Sequence, residues 1–97
     1  MTPEQLAMML AMLKVDVGVL SATAYDERFR QLLRTAAESI TKEGAALDFT
    51  SYDTMQTVVM YAAWLWRRRD SMESMGRGLR LRVNNLVLAT KAAAPEG

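Results

Sequence analysis

Helices packed into one small domain are the fold class this sequence predicts, on three observations. Apolar residues recur at steps of three and four from Tyr25 to Ile40, the spacing that lines one face of a helix. Capping residues stand at the right offsets: Thr2 with Gln5 three positions on, and Thr50 or Ser51 with Asp53 close behind. The longest unbroken apolar run, Val58 to Trp66, is far shorter than the ~20 residues of a membrane span, so it reads as the heart of a packed helix.

The first helix is predicted over about 3–14. Thr2 caps it, Pro3 suits the first helical position, and Gln5 completes a capping box. Leu6, Met9, Leu10 and Leu13 follow at helical spacing, and Val15 to Leu20, with Gly18, reads as a connector. The second helix, about 24–43, starts from Thr23 with Asp26 three residues on. It carries the stripe Tyr25, Phe29, Leu32, Leu33, Ala36, Ala37 and Ile40, with Gly44 just past its end. The third, about 51–69, opens on Thr50 or Ser51 and closes on arginines, on the favourable side of the helix dipole.

The stretch Arg69 to Arg80, with Gly76 and Gly78, reads as a loop. The last element admits two readings. Leu79, Leu81 and Val83 alternate before Asn84-Asn85, as in a hairpin, while Leu79, Val83, Leu86 and Val87 share one face of a helix over about 79–90. The tail, 91–97, reads as frayed.

Composition narrows the function. A chain of 97 residues is a single domain and buries only about 60–65% of the surface its unfolded form exposes, so association with further copies would help its stability. There is no cysteine and no histidine, which removes disulfides, thiolate zinc sites, cysteine nucleophiles and histidine acid–base chemistry together. No phosphate-binding glycine loop, nucleophile elbow or acidic cluster with metal spacing is present. Asp26-Glu27 is ordinary charge at a helix start. The expectation is therefore a non-enzyme with no cofactor, no metal and no catalytic residues. Glu4 stands where a signal peptide would want a positive charge.

Charge is split along the chain. Residues 1–66 hold five bases and eight acids, net −3; residues 67–97 hold seven bases and three acids, net +4. Such poles suit an anionic partner or head-to-tail packing of copies. At 100° per residue, Met55, Val58, Val59, Ala62, Leu65 and Trp66 share the core face of the third helix, while Met60 and Trp64 point the other way. A helix apolar all round is enclosed on several sides, either by its own domain or by another chain. Arg67, Arg68, Arg69, Arg77, Arg80 and Arg82 follow. They have the charge for nucleic acid, with Trp64 as a stacking platform, and equally the geometry for ion pairs between proteins.

The segments "LKVDVGVLSATAYDERFRQLL", "ITKEGAALD", "VVMYAAWLWRRRD" and "LRLRVNNLVLA", spanning roughly residues 13–89, resemble the small head-tail connector proteins of tailed phages and prophages, also called head-completion or adaptor proteins. The resemblance implies an all-α bundle of about four helices. It also implies a homo-oligomeric ring, commonly dodecameric, docked on the portal protein at the capsid vertex and extending the DNA channel. The stopper or tail-completion protein would follow in the neck of the virion, after assembly in the host cytoplasm. The terminal helix commonly contributes to portal docking, which favours helix over hairpin for 79–90.

On this reading Trp66 packs inward, and Met60 and Trp64 face a neighbour. Arg67, Arg68, Arg69, Arg77, Arg80 and Arg82 reach acidic groups of an adjacent subunit or the portal, with only weak, non-specific contact to DNA. The alternative from a different class is a small nucleic-acid-binding regulator encoded by a mobile element.

Overall fold

The computed structural model describes residues 1–19, 23–69 and 74–93, and within them the protein is an all-α bundle of four helices without a strand. The helices are α1 (Pro3–Val17), α2 (Asp26–Lys42), α3 (Tyr52–Arg68) and α4 (Arg77–Ala93). Helices α1, α2 and α3 pack on one another, and α4 lies against α3. The hairpin reading of 79–90 thus loses to the helical stripe: Leu79 and Val83 are buried, and Leu86 and Val87 lean on the same core. Asn84 and Asn85 are exposed on the outer side of α4 and turn no corner.

Local chemistry accounts for the helix ends. At the start of α1, Gln5 N donates to Thr2 Oγ1 at 3.1 Å and Thr2 N donates to Gln5 Oε1 at 2.8 Å, the reciprocal capping box. The helix runs three residues beyond its predicted end, because nothing before Gly18 stops it. Gly18, at φ +80°, adopts the left-handed cap that other residues resist, and the amides of Gly18 and Val19 both donate to Lys14 O at 3.0 Å. Of the predicted connector, Leu20 lies outside the described residues.

Helix α2 begins at Asp26, two residues later than predicted. Thr23 does not cap it, and Tyr25 occupies that position without a side-chain bond and stays largely exposed. The Asp26 carboxylate is held instead by Lys14 Nζ at 2.9 Å, tying the end of α1 to the start of α2. Gly44, at φ +111°, follows the end of α2 as predicted.

Ser51 caps α3 by accepting from Thr54 N. Thr50 serves a different turn: its hydroxyl and its amide both donate to Asp48 Oδ1, which lowers the Asp48 pKa below the ordinary carboxylate value. That contribution is present above the unfolded pKa and fades as pH falls through the folded one. Helix α4 starts two residues before its predicted position. Gly78 is tolerated in its first turn, exposed with open space around it, and the alanines and Lys91 carry it on to Ala93. Positions 70–73 of the predicted loop, and 94–97 of the predicted frayed tail, lie outside the described residues.

The core is one cluster. Phe29, Leu33, Ala36 and Ile40 from α2 meet Met9 and Leu13 from α1 and Val58, Val59 and Ala62 from α3. Each large side chain fully removed from water there stabilises the fold by about 1.5–3 kcal/mol. Helix α3 is central and buried nearly all round, with Thr54, Thr57, Tyr61 and Ala63 enclosed as well as the predicted face. Thr57 is accommodated because its hydroxyl donates to Asp53 O at 2.8 Å.

Helix α4 runs antiparallel to α3. Leu79 meets Met60 and Trp64 around one hollow, while Leu86 and Thr90 meet Ser51 and Thr54 around another. Polar ties fasten it along its length: Ala46 N donates to Thr90 Oγ1 at 2.8 Å, Arg80 Nη1 to Glu43 Oε1 at 2.6 Å, and Arg82 Nη1 to Asp53 Oδ1 at 3.1 Å.

Candidate functional site

Three surfaces carry the residues that the sequence marks out. The first is the junction of α3 with the start of α4. Met60 and Trp64 are half-buried here, and a hollow of about 260 Å³ is lined by them with Asp16, Arg67, Gly76 and Leu79. Trp64 sets its ring edge-on to Tyr61, centroids 5.4 Å apart, and Arg68 lies 4.7 Å over its face. The second face of α3 is thus covered in large part by the chain's own α4. Trp66 turns to the other side, as predicted. It is half-buried, packing edge-on to Phe29 at 4.8 Å and to Tyr25 at 5.4 Å, with Arg69 stacked 3.6 Å from its centroid.

The arginines sort by partner. Arg67 pairs with Asp16 at 3.3 Å, Arg80 with Glu43 and Arg82 with Asp53. Acids of the first two thirds therefore meet arginines of the last third inside one molecule, joining the helices of the fold. Arg77 is exposed at the start of α4, beside Arg80, Leu81 and Asn84. An exchange tests this assignment. Arg80→Glu is expected to lower monomer stability by about 1 kcal/mol, the upper end for an exposed pair. Adding Glu43→Arg should restore the loss in thermal denaturation. No recovery would place the partner of Arg80 elsewhere.

The second surface is a groove of about 580 Å³ between α2 and the end of α3. Arg28 and Arg34 line it from α2, Arg68 and Arg69 from α3, with Gln31 and Thr35 between them. The sequence reading did not single out Arg28 or Arg34. Their signal was available: both fall off the apolar stripe of α2, and Arg28 sits in its first turn, where a cation opposes the helix dipole.

The third surface is apolar and in two parts. On α1, Met8 (53% exposed) and Val15 (63%) stand seven residues apart on one face. On α4, Leu81 (60%) and Leu88 (61%) do the same. Seven residues bring a helix back to nearly the same angle, so each pair shares one face, with Ala11 between the two on α1 and the exposed Asn84 and Asn85 between the two on α4. Glu4 lies on the α1 stripe, and Arg77 and Lys91 on that of α4.

Among the described residues no three His, Cys, Asp or Glu side chains gather into a metal site, and no helix is long and apolar enough to cross a membrane. No family model, no curated protein and no solved structure matches this chain.

Proposed function

We propose that this protein is a structural subunit of a head-tail connector ring, which docks on a portal protein, extends the DNA channel and joins head to tail in a tailed phage or prophage. The observation that carries the proposal is the pair of unlike apolar stripes, one on α1 and one on α4. A two-fold dimer uses the same patch on both partners. Two different patches that fit each other make a head-to-tail contact, which closes into a ring when the rotation allows. The flanking charges suit this: Glu4 on one stripe has the opposite sign to Arg77 and Lys91 on the other.

The resemblance over residues 13–89 supplies the portal, the stopper or tail-completion protein and the virion neck as the setting. Of the interface residues suggested by sequence, Met60 and Trp64 hold α4 in place, and Arg67, Arg80 and Arg82 fasten the fold. In this proposal the outer faces of α1 and α4 join the exposed Arg68, Arg69 and Arg77 as the surfaces open to a neighbouring subunit or the portal.

The test is the mass of the purified chain in solution, alone and mixed with its portal protein. The expected species is a ring near twelve times the 10.9 kDa subunit, in at least the mixture. A chain that stays monomeric or dimeric in both conditions is no connector. The arginine groove favours the second reading, a small nucleic-acid-binding regulator of a mobile element. Nanomolar, sequence-selective binding to duplex DNA by the free chain would establish that reading instead.

A further inference from the structure

We infer that the groove between α2 and the end of α3 is a binding site for the phosphate backbone of duplex DNA, held without regard to sequence by Arg28, Arg34 and Arg68. Four arginines line this groove, and among the described residues no carboxylate does. Elsewhere among the described residues Arg67, Arg80 and Arg82 each face an acid, and Arg77 is a single exposed cation rather than one of a cluster. Arg28 has no ion pair among the described residues, and the helix dipole disfavours a cation at its position. Fold stability therefore gives no account of it, whereas an external anion does. Arg34 reaches a carboxylate only distantly, Glu27 at 3.9 Å, and Glu27 is shared with Arg30 at 3.3 Å.

The shape of the groove selects the kind of anion. Arg28 and Arg34 are six residues apart on one helix, about 9 Å along its axis, with Gln31 and Thr35 as neutral donors on the turns between and beside them. Arg28, Gln31 and Thr35 follow one face and Arg34 stands about a third of a turn round the helix from Arg28, so the donors are spread along and across the groove, which suits several phosphates of a polymer better than a single small anion. Guanidinium groups bind phosphate oxygens in forked pairs. Both tryptophans that could stack on an exposed base are covered, Trp64 by Arg68 and Trp66 by Arg69. That disfavours single strands, whose binding relies on stacking. A second copy of the chain is a poor occupant: six of its eight described acids already have basic partners, and the other two, Glu4 and Asp48, stand singly at the start of α1 and in the loop before α3.

The inference deepens the connector reading by naming the surface that would meet passing DNA, but binding by the groove does not depend on ring formation. Binding of the full chain to a short labelled duplex of arbitrary sequence is measured by fluorescence anisotropy between about 50 and 200 mM salt. Affinity is expected in the non-specific range, roughly 10⁻⁴–10⁻⁶ M. Each of Arg28→Gln, Arg34→Gln and Arg68→Gln should reduce the salt slope by about 1, while Arg77→Gln and Arg80→Gln leave it unchanged. Circular dichroism checks that every variant is folded. Equal losses in all five variants, or no loss in the groove variants, overturns the inference. Stronger binding of polyglutamate than of DNA would reassign the groove to an acidic protein segment. Mass measurements on the same variants report assembly separately, so a failed ring and an empty groove are told apart.

Discussion

Replacing Trp66 by alanine is expected to cost about 3 kcal/mol of folding stability, the lower end for deletion of a large aromatic from a core. For a domain of this length that lowers the melting temperature by roughly 12–24 °C. The residue is only half-buried, which keeps the loss from being larger. Its contacts explain why it is not smaller. The indole closes the end of the core at the junction of α3 with α2, where it meets Phe29, a fully buried side chain, at 4.8 Å and Tyr25 at 5.4 Å. Well-placed aromatic pairs add about 0.5–1.5 kcal/mol beyond the area they bury. Removal would also leave Arg69 without the ring it covers.

Trp64→Ala is expected to cost about half as much. Among the described residues Trp64 meets the ring of Tyr61 and the guanidinium of Arg68, and it borders the hollow beneath the first turn of α4. Its loss should loosen α4 while leaving the other three helices intact. Amide exchange across the four helices distinguishes the two variants: Trp66→Ala raises it everywhere, and Trp64→Ala mainly in α4. If Trp64 proves the costlier of the two, α4 rather than α2 anchors this end of α3.

The contrast between the two tryptophans shows what the sequence could carry. Helical periodicity is local, so it placed Trp64 and Trp66 on different sides of α3 correctly, and it recovered the core stripe of α2 from Phe29 to Ile40. It could not say what covers each side. That depends on where α4 docks, and α4 itself was ambiguous, because Leu79 and Val83 satisfy both periods while Leu81 fits only the strand's.

Helix ends were legible where side chain and backbone act within a few residues, as with Thr2 and Gln5. They were misplaced where a distant partner intervened: Asp26 is held by Lys14, twelve positions away, and Thr23 is left without a capping role. Charge suffered most. Net charge by segment shows that acids precede arginines, yet the pairs Asp16–Arg67, Glu43–Arg80 and Asp53–Arg82 span 29 to 51 positions. A split that suggested contact between molecules is spent in large part within one. The groove went unseen for the same reason, since Arg28 and Arg34 join Arg68 only after α2 has packed on α3.

Substituting aspartate for Leu81 and Leu88 together is expected to abolish ring assembly without unfolding the chain. Both residues are about 60% exposed, so the monomer should change by no more than about 0.5 kcal/mol per site. At a subunit contact each leucine would bury its remaining exposed surface for about 1–2 kcal/mol, and losing two weakens each contact by about thirtyfold or more. Met8→Asp with Val15→Asp should do the same from the other side. The geometry of the contact then makes a sharper demand. If the α1 stripe of one copy meets the α4 stripe of the next, the two variants keep complementary halves. Alone, each should remain monomeric under conditions where the wild type, with its portal if needed, forms a ring. Mixed, one variant offers an intact α4 and the other an intact α1, so they should form a one-to-one dimer that cannot grow. A self-complementary α4 contact would behave differently: the α1 variant would associate by itself, and mixing would add nothing. Wild-type-like rings from either variant alone would remove both stripes from the interface. Sedimentation of the two variants, separately and mixed, distinguishes these outcomes because each has its own mass.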